Sequence, residues 1–197
     1  MERLHPTKRV LLETVINLLE TKKPEEILSD EVLQISGISK GSMYHHFQDF
    51  GDLLEHAQVA RFASYVDNSI LMISKLLVLK TKEEFSAGLK EVTRYTQSEQ
   101  LKPQRLYRAT AISRAGVSER MRVNLGAEQS RLTASLGDLY NEVVNRGWGN
   151  PKLKPQTLAV FIQAYTLGRS VDDFTINHMD QENWLYAVKL VVENVFF

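Results

Sequence analysis

The chain has 197 residues, with 24 Lys and Arg against 24 Asp and Glu, so its formal net charge is zero, and it contains no Cys. The missing cysteine excludes disulfides and thiolate metal or redox sites, and a chain of this length buries roughly 70% of its unfolded surface without them. The neutral balance is unlike that of a strongly basic nucleic-acid-binding protein or a membrane-surface protein.

The first residues do not form a secretory signal pattern, because 1–6 leads straight into an amphipathic segment. The longest apolar run, 70–79, is shorter than the ~20 residues that a bilayer span needs and contains Ser74 and Lys75. We therefore expect a cytoplasmic protein with no membrane partner.

The N-terminal quarter of the chain predicts three helices. Apolar spacing predicts the first over residues 7–22. Ser29 is expected to cap the second helix and Gly37 to end it. Ser39 is expected to cap a third helix over residues 40–47.

The remainder predicts about six longer helices. The first runs from Phe50 to about Leu79, and the next begins at a capping box at 81–84. Further helices begin at Pro103 and Ser118, one runs from Pro155 to about Asn177, and the last is capped by Asp180. No strand alternation or repeat appears. The predicted fold class is all-α, with a three-helix head over 1–48 and a larger body over 49–197.

Residues 37–47 have the features of the second half of a helix-turn-helix. In that motif the second helix lies in the major groove with its N-terminal residues at the base edges. Gly37 permits the turn, Ser39 caps the helix, and Gly41 removes bulk where backbone would meet DNA. The side chains on its leading face are Lys40, Ser42, Tyr44 and His45. They suit base edges and phosphates, although a purely structural helical corner is equally compatible.

A histidine metal site is not expected. His45 and His46 are adjacent on a helix and point about 100° apart, so they cannot both bind one ion. The sequence also lacks a Ser/His/Asp grouping, a glycine-rich phosphate loop and a Glu-x-x-His pattern. We therefore predict no metal, no cofactor, no catalytic residue and no enzymatic activity.

The stretch SGISKGSMYHHFQDFGDLL, residues 36–54, resembles the helix-turn-helix signature of the TetR family of bacterial transcriptional regulators. The matching positions are Gly37, Ile38, Ser39, Gly41, Tyr44, His46, Phe47, Leu53 and Leu54. The matching stretch is about a tenth of the chain. The resemblance implies a homodimer that binds double-stranded operator DNA and a helical body that contains a ligand cavity.

The resemblance also implies which residues contact DNA. The chain departs from the family pattern at Phe50, where Lys is usual, so a phosphate contact there would use a main-chain N–H. It departs again at the start of the second helix, where Ser29 replaces a Thr-Thr pair as the cap. The predicted DNA-binding residues are Lys8, Arg9, Ser29, Ser39, Lys40, Gly41, Ser42, Tyr44, His45 and Phe50.

The head has a negative net charge, which is unfavourable for binding to the phosphates of DNA. Residues 1–60 contain six Lys or Arg and ten Asp or Glu, a net charge of −4. The third helix nevertheless contains Lys40 and no acid before Asp49, and salt screens exposed charges beyond about 8–10 Å. We therefore expect DNA binding with modest affinity per head.

The last two helices are the predicted dimer interface, because apolar residues surround more of each helix than one core needs. The interface residues are Phe161, Ala164, Gly168, Val171, Trp184, Val188, Val191 and Val195. The alternative is that this surface belongs only to the intramolecular core.

The effector site is less clear from the sequence. The candidate ligand-binding residues are Tyr95, Tyr107, Arg108, Thr110, Trp148 and Tyr165. Arg108 and Arg114 would pair either with an anionic ligand or with Glu residues on neighbouring helices.

The resemblance implies a repressor that a small-molecule effector releases from a palindromic operator, with DNA and ligand affinities coupled. The alternative is a DNA-binding dimer that a protein partner regulates, or one that acts as an activator, without a small-molecule ligand.

Overall fold

The computed structural model describes the backbone of residues 5–196 and the side chains of residues 5–194. This part of the chain contains no strand, which confirms the all-α prediction. Its helices are α1 (Pro6–Leu18), α2 (Ser29–Ser36), α3 (Lys40–His46), α4 (Phe50–Leu77), α5 (Lys82–Thr96), α6 (Lys102–Ala115), α7 (Glu119–Asn145), α8 (Pro155–Gly168) and α9 (Gln181–Phe196), with short 3₁₀ turns at Pro24–Glu26, Glu99–Leu101 and Arg169–Phe174. None of the helices among the described residues is both long and apolar enough to cross a membrane.

Helices α1 to α3 form a small head with its own core. The core side chains come from all three helices, from the segments that follow α1 and α3, and from the start of α4: Leu11, Leu12, Val15, Leu19, Ile27, Val32, Met43, Phe47, Leu53 and Ala57. Gly37 ends α2 with φ of 67°, a left-handed conformation that glycine adopts without steric cost. The Ser39 hydroxyl caps α3 by accepting the Ser42 N–H at 3.2 Å. Both end signals that the sequence predicted at this turn are confirmed.

Helix α4 runs through both parts of the molecule without interruption. Leu53 and Ala57 lie in the head core, whereas Phe62 and Val66 lie in the core of the body. The remaining body core comes mainly from α5, α7, α8 and α9. The proposed domain division at residues 48 and 49 therefore falls at the start of a helix that both cores share.

Two predictions about the head are wrong in detail. Ser29 does not cap α2, because it is already the first helical residue; Leu28 is the cap and makes no side-chain capping bond. Helix α1 ends at Leu18 instead of Lys22. Residues 19–22 form a tight turn, and the Leu19 carbonyl accepts a hydrogen bond from Arg61 of α4 at 2.9 Å.

Helix α8 ends at Gly168, nine residues before the predicted end at Asn177. The chain continues as the 3₁₀ turn Arg169–Phe174, which packs against α6. Because the chain changes direction at the end of α8, the Asp173 carboxylate lies next to Arg105. The predicted caps of the other body helices, at Thr81, Ser118 and Asp180, are confirmed by their side-chain hydrogen bonds.

A buried ion pair joins α6 to that 3₁₀ turn. Arg105 donates two hydrogen bonds to the Asp173 carboxylate, from Nε and from Nη2, each 2.8 Å long. Its Nη1 donates to the Ser98 carbonyl at 2.8 Å, so the guanidinium uses all three of its nitrogens. A bidentate pair of this kind fixes the relative position of the two elements.

We expect Asp173→Asn to lower the free energy of unfolding by about 3–5 kcal/mol, because it leaves the Arg105 guanidinium buried without a counter-ion. Urea denaturation followed by circular dichroism measures this. The matched control is Glu119→Gln, which breaks the exposed pair with Arg122 and should change the stability little. Equal losses in the two variants would contradict the importance of the buried pair.

Candidate nucleic-acid interface and ligand cavity

The leading face of α3 is exposed and polar. Lys40, Ser42 and His45 are exposed, Gly41 lies open beside them with no atom within 4 Å of the place where a Cβ would lie, and Tyr44 is 48% exposed. Lys40 makes no salt bridge within the described part of the chain, so its ammonium is available to a partner. The opposite face of the helix is anchored in the head core by buried Met43.

The other predicted DNA-binding residues lie around this face, and they differ in exposure and in whether their side chains already have a partner. Lys8 is half-buried with its ammonium 5.3 Å from the centroid of the Phe47 ring, and exposed Arg9 lies 3.8 Å from the Glu13 carboxylate. Ser29 is half-buried in the first turn of α2. Ser39 is exposed, and its hydroxyl is engaged in capping α3.

The N-terminus of α4 is less favourable for a phosphate than the sequence suggested. Phe50 is half-buried against the head core. The preceding residue, Asp49, caps the helix by accepting the Asp52 N–H at 2.6 Å. A carboxylate thus already occupies the position where a phosphate would meet the main-chain N–H groups.

Three histidines meet at the C-terminal end of α3, two of them from the helix itself. The His46 ring centroid lies 4.6 Å from that of His5 and 5.1 Å from that of His45. Burial, together with the neighbouring cationic groups of His5, His45 and Lys8, lowers the pKa of His46 below its ordinary value of 6.5. Among the described residues, no group of three or more His, Asp and Glu side chains is arranged to hold a metal ion.

Arginines of the body bind the head at three places. Arg61 donates to the Leu19 carbonyl, pairs with Glu20 at 3.1 Å, and lies over the ring of Tyr107. The Tyr107 hydroxyl donates to the Arg61 carbonyl at 2.9 Å, and burial raises the pKa of Tyr107 to about 12, so it remains a donor at neutral pH. Arg114 on α6 pairs with Glu25 of the head.

The third connection joins the start of α7 to the start of α4. Arg120 donates from Nε to Glu55 at 2.6 Å and lies 3.4 Å from Asp52. Its Nη1 donates to the Gln48 side chain at 3.3 Å, on the turn that follows α3. The hydrogen bond to Glu55 is the main reason that the pKa of Arg120 is raised. A movement of α7 would therefore act directly on the turn behind the exposed face of α3.

Two of the cavities in the described part of the body adjoin one another. The first, the apolar compartment, has a volume of about 80 Å³ and lies between α4, α5, α7 and α8; its lining includes Met72, Ile73, Leu76, Leu89, Val92, Leu132, Leu136, Leu139 and Ile162. The second, the polar compartment, has a volume of about 250 Å³ and lies between α4, α5 and α6; its lining includes Asn68, Tyr95, Gln104, Arg105 and Arg108. Both are lined by Tyr65, Ser69, Met72, Thr96 and Thr166.

The predicted ligand residues divide between these cavities and other places. Tyr95 and Arg108 line the polar compartment, and Tyr165 lines the apolar one. Tyr107 lies instead in a surface groove at the junction with the head. Two others line neither compartment: Trp148 packs against the Phe85 ring, and exposed Thr110 donates to the Leu106 carbonyl.

The residues that both compartments share were not predicted from the sequence. Tyr65, Ser69 and Met72 lie four and three residues apart, so they occupy one face of α4. This spacing was the available signal, but it does not distinguish a cavity wall from a packed core. The distinction depends on how closely α5, α6 and α8 approach that face.

The predicted dimer-interface residues fall into two groups. Five of them are exposed: Phe161, Ala164, Gly168, Val171 and Val191. Val188 is buried in the body core, and half-buried Trp184 donates from its indole nitrogen to the Gln97 side chain at 2.8 Å. The side chain of Val195 lies outside the described residues.

Further apolar side chains are exposed on the same part of the chain. On α8, α9 and the segment between them, the additional exposed residues are Val160, Phe174, Ile176, Tyr186 and Leu190. These exposed side chains lie on elements that follow one another in the chain, and a contiguous exposed apolar patch is typical of an interaction surface. Of the segment after α8, the sequence predicted Val171 but missed Phe174 and Ile176, because it predicted one helix up to residue 177.

Comparisons with known proteins identify the fold. No protein-family model matches the chain, and no curated protein matches it. Among solved structures, a protein from Mesorhizobium loti described as a TetR-family transcriptional regulator has a TM-score of 0.73 and 16% identity, over 95% of this chain and 94% of that one. Salmonella enterica GusR has a TM-score of 0.71 and 15% identity, over 100% and 97%.

A third similar structure, of a transcriptional regulator from Saccharomonospora viridis, was solved in complex with choline; its TM-score is 0.70 at 14% identity, over 96% of each chain. Likeness at such identities establishes architecture, and here it extends over nearly the whole length of both chains in each comparison. The chain has the all-α fold of the TetR-family transcriptional regulators.

Proposed function

We propose that the protein is a TetR-family transcriptional regulator that binds operator DNA through the exposed face of α3. The observation that carries this proposal is the combination of a capped, anchored α3 with exposed Ser42, Tyr44 and Lys40, the last of which forms no ion pair with any described residue. These side chains suit base edges and phosphates in a major groove. The head acts in the cytoplasm, where its DNA target lies.

A homodimer is the proposed assembly. One head presents a single short helix, which contacts too little DNA for tight specific binding. Two heads on a two-fold axis would read two half-sites about one helical turn apart, on a palindromic operator. The exposed apolar residues of α8, α9 and the intervening segment support this, since a second copy of the chain would remove them from water.

A small-molecule effector is proposed to release the protein from DNA, which makes it a repressor. The two compartments lie in the body, and the contacts of Arg61 and Arg120 connect the body helices to the head. A ligand that shifts those helices would change the spacing of two heads, and the affinities for ligand and DNA would then be coupled. A protein of similar fold was solved in complex with choline, which supports a small-molecule ligand for this chain.

The second candidate is a DNA-binding dimer that acts as an activator or responds to a protein partner. The polar compartment with its buried arginine favours the effector-responsive candidate.

Combining Lys40→Ala with Tyr44→Phe should weaken DNA binding at least about tenfold, because each head loses one charged contact and one hydroxyl contact. The DNA is first selected from a random pool with the native protein, and affinity is then measured by fluorescence anisotropy. The control is Lys75→Ala, which removes an exposed lysine side chain from the body. Native affinity in the α3 double variant would remove the assignment of this face.

DNA affinity should rise as the pH falls from about 7.5 to 5.5. The lowered pKa keeps His46 neutral at the higher pH, and its protonation adds a positive charge beside the DNA-binding face. Phosphates favour the cationic form, so binding takes up protons, and affinity increases towards low pH. His46→Gln should reduce this rise; an unchanged pH dependence would place His46 away from the DNA.

Combining Phe161→Glu with Val171→Glu should dissociate the dimer, because it places charges in the proposed apolar interface. Sedimentation velocity measures the mass, and the monomer should bind the selected DNA more weakly. Val117→Glu is the control, because Val117 is 90% exposed in the loop before α7, compared with 75% for Val171. Dimers of native stability in the double variant would exclude this surface.

A further inference from the structure

Helix α6 contains two buried arginines one turn apart, and only one of them is neutralised. Arg105 forms the bidentate pair with Asp173. Arg108 is 3% exposed, and no carboxylate among the described residues pairs with it. Its Nε–H is buried without an acceptor. An unpaired buried charge is unfavourable, so α6 holds a cation that lacks its counter-ion.

The protein compensates this charge only in part. The Arg108 guanidinium lies 3.9 Å from the centroid of the Tyr65 ring, and a cation over an aromatic face is stabilised less than one paired with an anion. Burial lowers the pKa of Arg108, but an arginine remains charged at neutral pH. A negatively charged partner is the missing component.

The polar compartment is where such a partner would enter. Arg108 lines it together with Arg105, and no acidic side chain among the described residues lines it. Its volume of about 250 Å³ admits a small organic group beside the guanidinium. Asn68, Gln104 and Tyr95 line the same space and add groups that can hydrogen-bond to a bound anion.

The adjoining apolar compartment determines what the rest of the ligand would be. It is lined mainly by aliphatic side chains and by no charged residue among those described. A dry cavity of about 150 Å³ holds a benzene ring, so a volume of about 80 Å³ suits a short alkyl group. Tyr65 and Ser69 border both spaces, so one molecule can occupy both.

We propose that the effector is a small organic carboxylate, with its anionic group paired to Arg108 and its short alkyl group in the apolar compartment. The planar guanidinium matches a carboxylate in geometry as well as in charge. This inference names the class of effector and therefore rests on the proposed function. The ligand site would also be connected to the head, because Arg108 follows Tyr107 in α6 and the Tyr107 hydroxyl donates a hydrogen bond to the carbonyl of Arg61.

The first test compares three probes that share a six-carbon chain. Thermal denaturation of the purified full chain is followed with sodium hexanoate, 1-hexanol or hexylamine over the same concentrations. Hexanoate should raise Tm in a saturable way, and the alcohol and the amine should raise it much less, because only the carboxylate neutralises Arg108. Equal effects of hexanoate and hexanol would overturn the proposal, and this comparison needs no variant.

The second test removes the cation. Arg108→Met should weaken hexanoate binding about tenfold or more in calorimetry, without lowering the Tm of the free protein, because it also removes an unpaired buried charge. Arg108→Lys should retain part of the affinity. Arg94→Met alters an exposed arginine on α5 and should bind hexanoate as the native chain does. Native affinity in Arg108→Met would overturn the assignment.

DNA binding by the same preparations separates this inference from the proposed function. If the selected DNA binds but hexanoate does not, the carboxylate inference fails and the regulator proposal stands. If hexanoate binds through Arg108 but no DNA is selected, the anion site stands and the regulator proposal fails. If both bind, hexanoate should lower the affinity for DNA in the native protein and much less in Arg108→Met.

Discussion

Helix α4 is built into two hydrophobic cores at once, and the rest of the structure depends on this. It has 28 residues and is about 42 Å long. Leu53 and Ala57 are buried in the head, and Phe62 and Val66 are buried in the body, with Arg61 at the crossover. Since the helix is continuous through both cores, a displacement of α4 within the body also moves the head, because no flexible linker separates the two.

Most acidic side chains of the head form ion pairs away from α3. This explains how a head with a negative net charge can still present an exposed lysine on α3. Among the described residues 5–60, the acids that pair with Lys or Arg are Glu13 with Arg9, Glu20 with Arg61, Glu25 with Arg114, Glu31 with Lys22, and Asp49, Asp52 and Glu55 with Arg120. Three of those five cations belong to α4, α6 or α7. Much of the negative charge therefore attaches the head to the body, while Lys40, on the exposed face of α3, pairs with no acid in the part of the chain that the structure describes.

Arginines in the body differ by whether an acid lies within reach. Arg105 has Asp173 because the chain turns away from α8 at Gly168, and Arg114 has Glu25 because the head packs beside α6. Arg108 lies between them on the same helix and faces a cavity. Its lack of an acidic partner among the described residues follows from this position, and it leaves a positive charge at the wall of the polar compartment.

The sequence by itself determined the features that depend on neighbouring residues: the helical class, most helix starts, the left-handed turn at Gly37 and the cap at Ser39. These follow from periodicity and from hydrogen bonds that span three or four residues. Tertiary structure decided the early end of α8, the burial of Val188, and which of Arg108 and Arg114 would find a carboxylate. Those outcomes depend on residues 68 or more positions apart, as with Arg105 and Asp173, or on helix packing, and local sequence contains no record of either.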